Sequence, residues 1–166
     1  MALSACRSDP TDQIGAAAAT ATSAPTAVEA NATVVRVIDG DTIDVRFDQG
    51  EERIRLIGID TPESVKPETP VECFGKEAAA FTESLLPPGT TVRIERDVDA
   101  RDDYGRLLGY VVRAQDALFV NLEIVRAGYA QPLTFPPNVA HTDEIVAAAR
   151  AAEAADRGLW SACRGQ

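Results

Sequence analysis

From Thr33 onward, β-branched and apolar residues fall at every second position: Val35 and Val37, then Ile43, Val45 and Phe47. That alternation predicts two half-buried strands, and Asp39-Gly40-Asp41 between them supplies a turn. A second turn at Asp48-Gln49-Gly50 leads into Arg53-Ile54-Arg55-Leu56-Ile57, which extends the pattern to a three-stranded meander. Residues 60 to 72 are rich in Pro and Glu and read as loop. Lys76 to Leu86 then places Ala79, Phe81 and Leu85 at helical spacing, and Pro87-Pro88-Gly89 stops that helix.

Thr91 to Glu95 and Leu107 to Val112 read as two more strands, joined by the polar segment Asp97 to Gly105. Phe119 to Ala127 predicts a short amphipathic helix ended by Gly128, and Pro132 to Asn138 a proline-laced loop. A last helix runs over Asp143 to Asp156 and ends at Gly158. Meander, helix, two strands and two helices make an α+β chain that is mainly β barrel: a five-stranded OB-fold with three packed helices.

Upstream of this domain, residues 7 to 31 mix Ala, Thr, Ser and Pro with almost no large apolar group, so burial cannot offset chain entropy there. Residues 1–31 are expected to form a tether and 32–166 the folded domain. The chain of 166 residues is 45% hydrophobic, with clustered alanines and only nine aromatic rings besides His, one Trp, three Tyr and five Phe, so the core is modest. No run reaches the roughly 18 to 20 apolar residues that span a bilayer. Net charge is −10, from 26 acidic and 16 basic side chains, and composition alone therefore opposes attraction to a polyanion. The tail contributes only Arg7 against Asp9, Asp12 and Glu29, so most of the negative charge belongs to the domain.

Chemistry is concentrated at strand ends. Asp41 opens the second strand, while Asp60 and Glu63 follow the third, and a meander can bring the three carboxylates together. Clustered carboxylates repel one another unless a cation joins them. Hard oxygen donors with no His or Cys nearby suit Ca²⁺ or Mg²⁺ rather than Zn²⁺. Arg55 projects from the same third strand and Arg106 stands at the start of the fifth, and two guanidinium forks near a metal make a site for phosphate. Each fragment is by itself a common turn or surface-strand sequence; together they point to phosphoryl transfer.

Ile38-Asp39-Gly40-Asp41-Thr42, Ile54-Arg55-Leu56-Ile57-Gly58-Ile59-Asp60-Thr61-Pro62-Glu63 and Asp103-Tyr104-Gly105-Arg106 stand in the order and at the separations of the staphylococcal nuclease family, which the chain closely resembles. Asn121-Leu122 with Gly128, and Gly158-Leu159-Trp160, extend the likeness from about Thr33 to Trp160. The resemblance implies a Ca²⁺-dependent phosphodiesterase acting on single-stranded or frayed DNA and RNA and leaving 3′-phosphates. Asp41 and Asp60 match the carboxylates that hold Ca²⁺, with the main-chain carbonyl of Thr61 as a further ligand. Glu63 matches the residue that activates or orients the attacking water, Arg55 and Arg106 the pair that grips the scissile phosphate, and Tyr104 a phosphate-contacting phenol.

Four residues depart from the family pattern. Asp103 and Thr69 stand where lysines are found, and Thr134-Phe135 where tyrosines stack on the base, which predicts a weaker hold on substrate. Phe135 can still stack on a base, or anchor its own loop. A catalytically silent nucleic-acid or protein-binding module on the same barrel is the alternative, although a binder has no need of the full set of acids and arginines.

Cys73 and Cys163 can meet if the C-terminal segment returns across the first helix, and an oxidising compartment would then join them; a reducing one leaves two buried thiols. Leu3-Ser4-Ala5-Cys6 resembles the end of a bacterial lipoprotein signal, without the apolar stretch that precedes such a cysteine. These features together predict an extracellular or cell-envelope protein attached to the outer face of a membrane through a lipid on Cys6. Nothing in the pattern demands a protein partner or more than a monomer. His141, the only histidine, is expected to cap or contact the surface near the last helix, and Trp160 to sit in the core.

Overall fold

The structure is a computed structural model that describes residues 1, 27–65 and 70–165. Five strands close into a barrel. In chain order they are β1 (Ala32–Asp39), β2 (Thr42–Phe47), β3 (Gly50–Leu56), β5 (Thr91–Glu95) and β6 (Leu107–Arg113). The antiparallel order is β3-β2-β1-β5-β6, and the barrel shuts where β3 and β6 run parallel, with Ile54 opposite Leu107 and Arg55 opposite Leu108. A small second sheet pairs β4 (Gly58–Asp60) with β8 (Gln131–Leu133), and β7 (Leu118–Phe119) adds a short edge to β6. Helices α1 (Gly75–Leu85), α2 (Val120–Arg126), α3 (Thr142–Ala154) and α4 (Leu159–Ala162) pack around it. The core runs through Ile43, Val45, Ile54, Leu56 and Val111 inside the barrel and on to Ile124 and Ile145 beneath the helices. None of the helices, among the described residues, is long and apolar enough to cross a membrane.

Several expectations are corrected. Val35 does not join the inward row of β1; Ala32 and Val34 are buried, a register shift after Val34 brings Val37 against the core opposite Ile43 as expected, and a second shift follows Val37. A bulge carries an extra residue, so strict alternation fails across it. The second shift delivers Asp39 to the buried side next to Gly40 and Asp41. Phe119 is strand rather than helix, and α2 begins one residue later. Within the expected Pro132 to Asn138 loop, Pro132 lies in β8 opposite Ile59, on an edge where its missing N–H costs no ladder bond. A fourth helix, α4, adds one short turn after Gly158; its Leu159 is buried while Trp160 is only half-buried.

The segment read as tether reaches the barrel before Ala32. Val28 N donates to Ala114 O (3.0 Å), and the Asn31 side chain exchanges two bonds with the Ile94 backbone (2.8 and 3.0 Å). Cys6 lies outside the described residues. Asn121 is fully buried at the start of α2: its Oδ1 accepts from Val111 N (2.9 Å) and its Nδ2 donates to Ile57 O (2.9 Å). An apolar side chain there would orphan polar backbone groups in the interior. Cys73, just before α1, is joined to Cys163 at the end of α4, with Cα atoms 5.9 Å apart. His141 precedes α3 without making a cap bond; its ring packs on Tyr110 and Phe119 and bonds Glu144.

Candidate active site

The tight turn between β1 and β2 sets the first acids. Gly40 has no side chain because none fits: a Cβ there would lie 2.7 to 2.8 Å from the Thr61 side chain. Thr82 from α1 pins the turn by donating to Gly40 O (2.6 Å). Asp41 is consequently drawn against the chain following β4, where its Oδ2 accepts from both Thr61 N and Thr61 Oγ1 (3.0 Å each). Its other oxygen accepts from Thr42 Oγ1 (3.0 Å).

Arg55 reaches this cluster from β3. Nη1 donates to the carbonyls of Leu56 (2.6 Å) and Ile59 (3.0 Å), which fixes the plane of the guanidinium. Nη2 then sits between two carboxylates, 2.9 Å from Asp60 Oδ1 and 3.2 Å from Asp41 Oδ2. The Arg55 and Asp41 side chains are only 13% and 9% exposed, so water screens their attraction weakly.

More acids surround the same point than one guanidinium can neutralise. Asp39 is buried, and loss of water pushes its carboxyl up to about 6; bonds from Ser64 Oγ (2.5 Å) and Gly40 N (2.8 Å) oppose the rise, while a hydrogen bond with Glu63 and the charge of Asp41 add to it. Asp60 is also raised, by burial first, with Arg55 opposing and Asp41, Glu72 and Glu63 contributing repulsion. Glu63 is held by its backbone: Glu63 N donates to Glu72 Oε2 (3.1 Å), Glu72 N returns a bond to Glu63 O (2.9 Å), and its own Oε1 accepts from Val65 N (3.0 Å). Gly75 at the start of α1 presses on the Glu63 carbonyl so closely that a Cβ would stand 2.5 Å from it.

Arg106 approaches from the loop before β6. Asp102 organises that loop: Oδ1 accepts from Tyr104 N (3.0 Å) and Arg106 N (2.9 Å), and Oδ2 accepts from Arg106 Nε (2.6 Å). The Arg106 guanidinium carbon lies 5.5 Å from the centroid of the Tyr104 ring. Arg55, Arg106, Tyr104 and Phe135 line one cavity of about 330 Å³, floored by Ile59 and Leu133. Tyr104 and Phe135 are 86% and 78% exposed, flat apolar faces left open at its rim. Phe135 is therefore not a buried loop anchor.

The structure thus gathers Asp41, Asp60 and Arg55 in direct contact, brings Glu63 to them through Asp39, and sets Arg106, Tyr104 and Phe135 with Arg55 around the cavity. Among the described residues, no three acids, histidines or cysteines are gathered at metal-ligand spacing. The donor chemistry nevertheless fits a hard divalent cation. All the groups are oxygens, and Asp39 and Asp60 are raised first by burial, with repulsion from neighbouring carboxylates adding to it, so a bound cation would relieve both costs.

A family profile described as "Staphylococcal nuclease homologue" matches residues 53–162, from β3 to the end of α4. The chain belongs to the staphylococcal nuclease family. Among relatives of this nuclease family, the chain is 41% identical over 128 residues to a thermonuclease of Staphylococcus hyicus, covering 77% of this chain and 74% of that protein. It is 43% identical over 127 residues to a thermonuclease of Staphylococcus intermedius, covering 76% and 74%. An endonuclease of Bacillus subtilis, YhcR, is 35% identical over 136 residues, which is 77% of this chain and 11% of that much longer protein.

Two contributors to this nuclease-family site escaped the reading of the sequence. Asp39 was taken only as a turn residue, and its burial depends on the second register shift in β1. Asp102 looked like one more polar loop residue. The signal was present in its spacing, because an Asp two residues before a backbone N–H in a Gly-containing turn commonly caps that turn. Of the family departures, Asp103 is exposed beside Tyr104, Thr134 is exposed in the loop with Phe135, and Thr69 lies outside the described residues.

Proposed function

We propose that this chain is a nuclease that hydrolyses the phosphodiester backbone of DNA and RNA with the help of Ca²⁺. The observation that carries the reading is the arrangement of Arg55: one edge of its guanidinium is fixed on Asp41 and Asp60, while the side chain walls the cavity that also holds Arg106. Two positive forks on one cavity suit the two non-bridging oxygens of a phosphodiester. They become more effective as phosphorus turns pentacoordinate and its oxygens gain charge, and because both are already fixed they need little reorganisation at that moment.

Asp41, Asp60 and the Thr61 carbonyl would hold the cation, whose role when bound is to stabilise charge on phosphate and water. Glu63 would accept a proton from an attacking water, a role supported by its contact with Asp39 and by its doubly tethered backbone. Tyr104 and Phe135 offer stacking faces for bases on either side of the cut, which favours single-stranded or frayed substrate. The paired cysteines and the lipoprotein-like Cys6 support export and attachment to the outer face of a membrane.

Single-stranded DNA incubated with Ca²⁺, with a chelator, and with Glu63→Gln tests the reading. Cleavage should require the cation and fall at least about a hundredfold in the variant, the usual size of a lost general base. Metal-independent binding with no cleavage by the intact protein would establish a binding module instead.

A further inference from the structure

Ile54 and Leu56 are fully buried, so Arg53 and Arg55 leave β3 on its other face, one row apart. Two residues advance a strand by about 6.6 to 6.8 Å, comparable to the separation of successive phosphorus atoms in a polynucleotide strand. Arg53 does not stand alone in its row. The register sets Asp44 of β2 opposite it and Arg36 of β1 beyond. Arg53 binds Asp44 through Nε (2.8 Å) and Nη2 (3.2 Å), and Arg36 binds the same carboxylate through Nε (2.9 Å) and Nη2 (2.8 Å).

Asp44 is buried and held below the usual carboxylate range, chiefly by Arg53. Two guanidinium groups on one carboxylate leave a surplus positive charge in a chain of net charge −10. The Arg53 side chain is 46% exposed and its Nη1 takes no part in the bonds to Asp44, so that edge remains available to an anion.

A groove of about 490 Å³ connects this row to the active site. Its walls include Arg53, Asp44, Glu51, Glu52, Tyr104 and Arg106, so it shares Tyr104 and Arg106 with the catalytic cavity. Glu51 and Glu52 do not cancel the surplus, since each is bound to an arginine of its own, Arg46 (2.5 Å) and Arg101 (2.7 Å).

We infer that Arg53, with Arg36 behind it, forms a second phosphate subsite for the phosphodiester next to the one gripped by Arg55 and Arg106. This rests on the nuclease reading and sharpens it: the preferred substrate carries at least two adjacent internal phosphates and lies across the outer face of β2 and β3. A single phosphodiester fills only the catalytic cavity. The raised acidity of the domain makes such a local cation more necessary than it would be in a basic protein.

Cleavage of a thymidine dinucleotide with one phosphate, and of a thymidine trinucleotide with two, by the full chain and its Arg53→Gln variant tests the subsite. The intact protein should prefer the trinucleotide about tenfold in kcat/KM, mostly through KM. Arg53→Gln should lose that preference, leave the dinucleotide unchanged, and lower the dependence of log kcat/KM on log salt for single strands by about 0.7. Equal losses on both substrates, or none on either, would overturn the subsite.

Asp44→Asn acts in the opposite direction, because it frees both arginines; it should tighten binding of fluorescent oligothymidylate measured with Ca²⁺, and weakened or unchanged binding counts against the proposal. If the intact protein cleaves neither substrate nor single-stranded DNA with Ca²⁺, the nuclease reading fails by itself. The same oligothymidylate titration then decides the subsite, which stands only if Arg53→Gln weakens binding about tenfold.

Discussion

Cys73 and Cys163 close a loop of 90 residues that contains β5, β6, all of α2 and α3, and the part of the candidate-site wall supplied by Arg106, Tyr104 and Phe135. Cross-linking so long a segment removes much of the freedom of the unfolded chain, and the loop-closure relation gives about 4.6 kcal/mol at 25 °C. Typical domains are stable by only about 5 to 15 kcal/mol, so the bond accounts for a large share of the total. Replacing both cysteines by serine avoids a stray thiol and should lower the unfolding free energy by about 3 to 5 kcal/mol. With roughly 135 folded residues and about 2.1 cal/mol/K of unfolding entropy each, Tm should drop by about 10 to 18 °C. Urea titration followed by the fluorescence of Trp160, three residues before Cys163, reads the change directly. The slope m should rise as well, since an unfolded chain without the cross-link exposes more surface. A loss below about 1 kcal/mol with m unchanged would refute the reasoning, because a constraint on the unfolded ensemble must appear in both quantities.

Two further outcomes follow from the site. Asp39 has a folded-state carboxyl near 6, above its unfolded value of 3.8, so folding takes up a proton between the two values; its stabilising contribution is complete below about pH 4 and lost as pH rises through 6. Asp39→Asn should therefore be more stable than the parent at pH 7 by on the order of 2 kcal/mol without added cation, and the gap should close near pH 4; urea midpoints at the two pH values check it, and a constant gap contradicts it. Asp102→Ala releases both the turn amides and Arg106 Nε, and kcat/KM on single-stranded DNA should fall about tenfold or more, whereas Asp102→Asn, which keeps the turn acceptor, should fall less; equal effects would show that only the charge matters.

Where side chains alternate without interruption, the sequence was enough. The β2 row of Ile43 and Val45 and the β3 row of Ile54 and Leu56 are buried as the pattern requires, and they carry Asp41 and Arg55 to predictable ends. Residues that depend on a distant partner were not legible. Gln131–Leu133 is a strand only because Gly58–Asp60 lies beside it, and Pro132 argues locally against any strand. Val35 was assigned to the core because no local signal marks a bulge, which is set by how β1 must bend to meet both β2 and β5. The candidate site divides in the same way. Strand-end acids and arginines could be listed from their types and spacing, but the sharing of one Arg55 nitrogen by Asp41 and Asp60 depends on a backbone path through Leu56 and Ile59 that fixes the guanidinium plane.

The parallel seam between β3 and β6 acts as a caliper for the two arginine arms on the cavity. Arg55 is registered against Leu108, two positions beyond Arg106, so a slip of one residue along the seam would turn Arg106 toward the opposite side of its strand. The stretch from Asp97 to Arg101 is tied to the same gauge, since Ala100 O accepts from Leu108 N (2.9 Å) and Asn138 bonds both backbone groups of Asp99 (2.8 and 3.1 Å), while a single residue inserted between Arg106 and Leu107 resets it directly. The jaws therefore keep their gap only while the handle that feeds the second of them keeps its length.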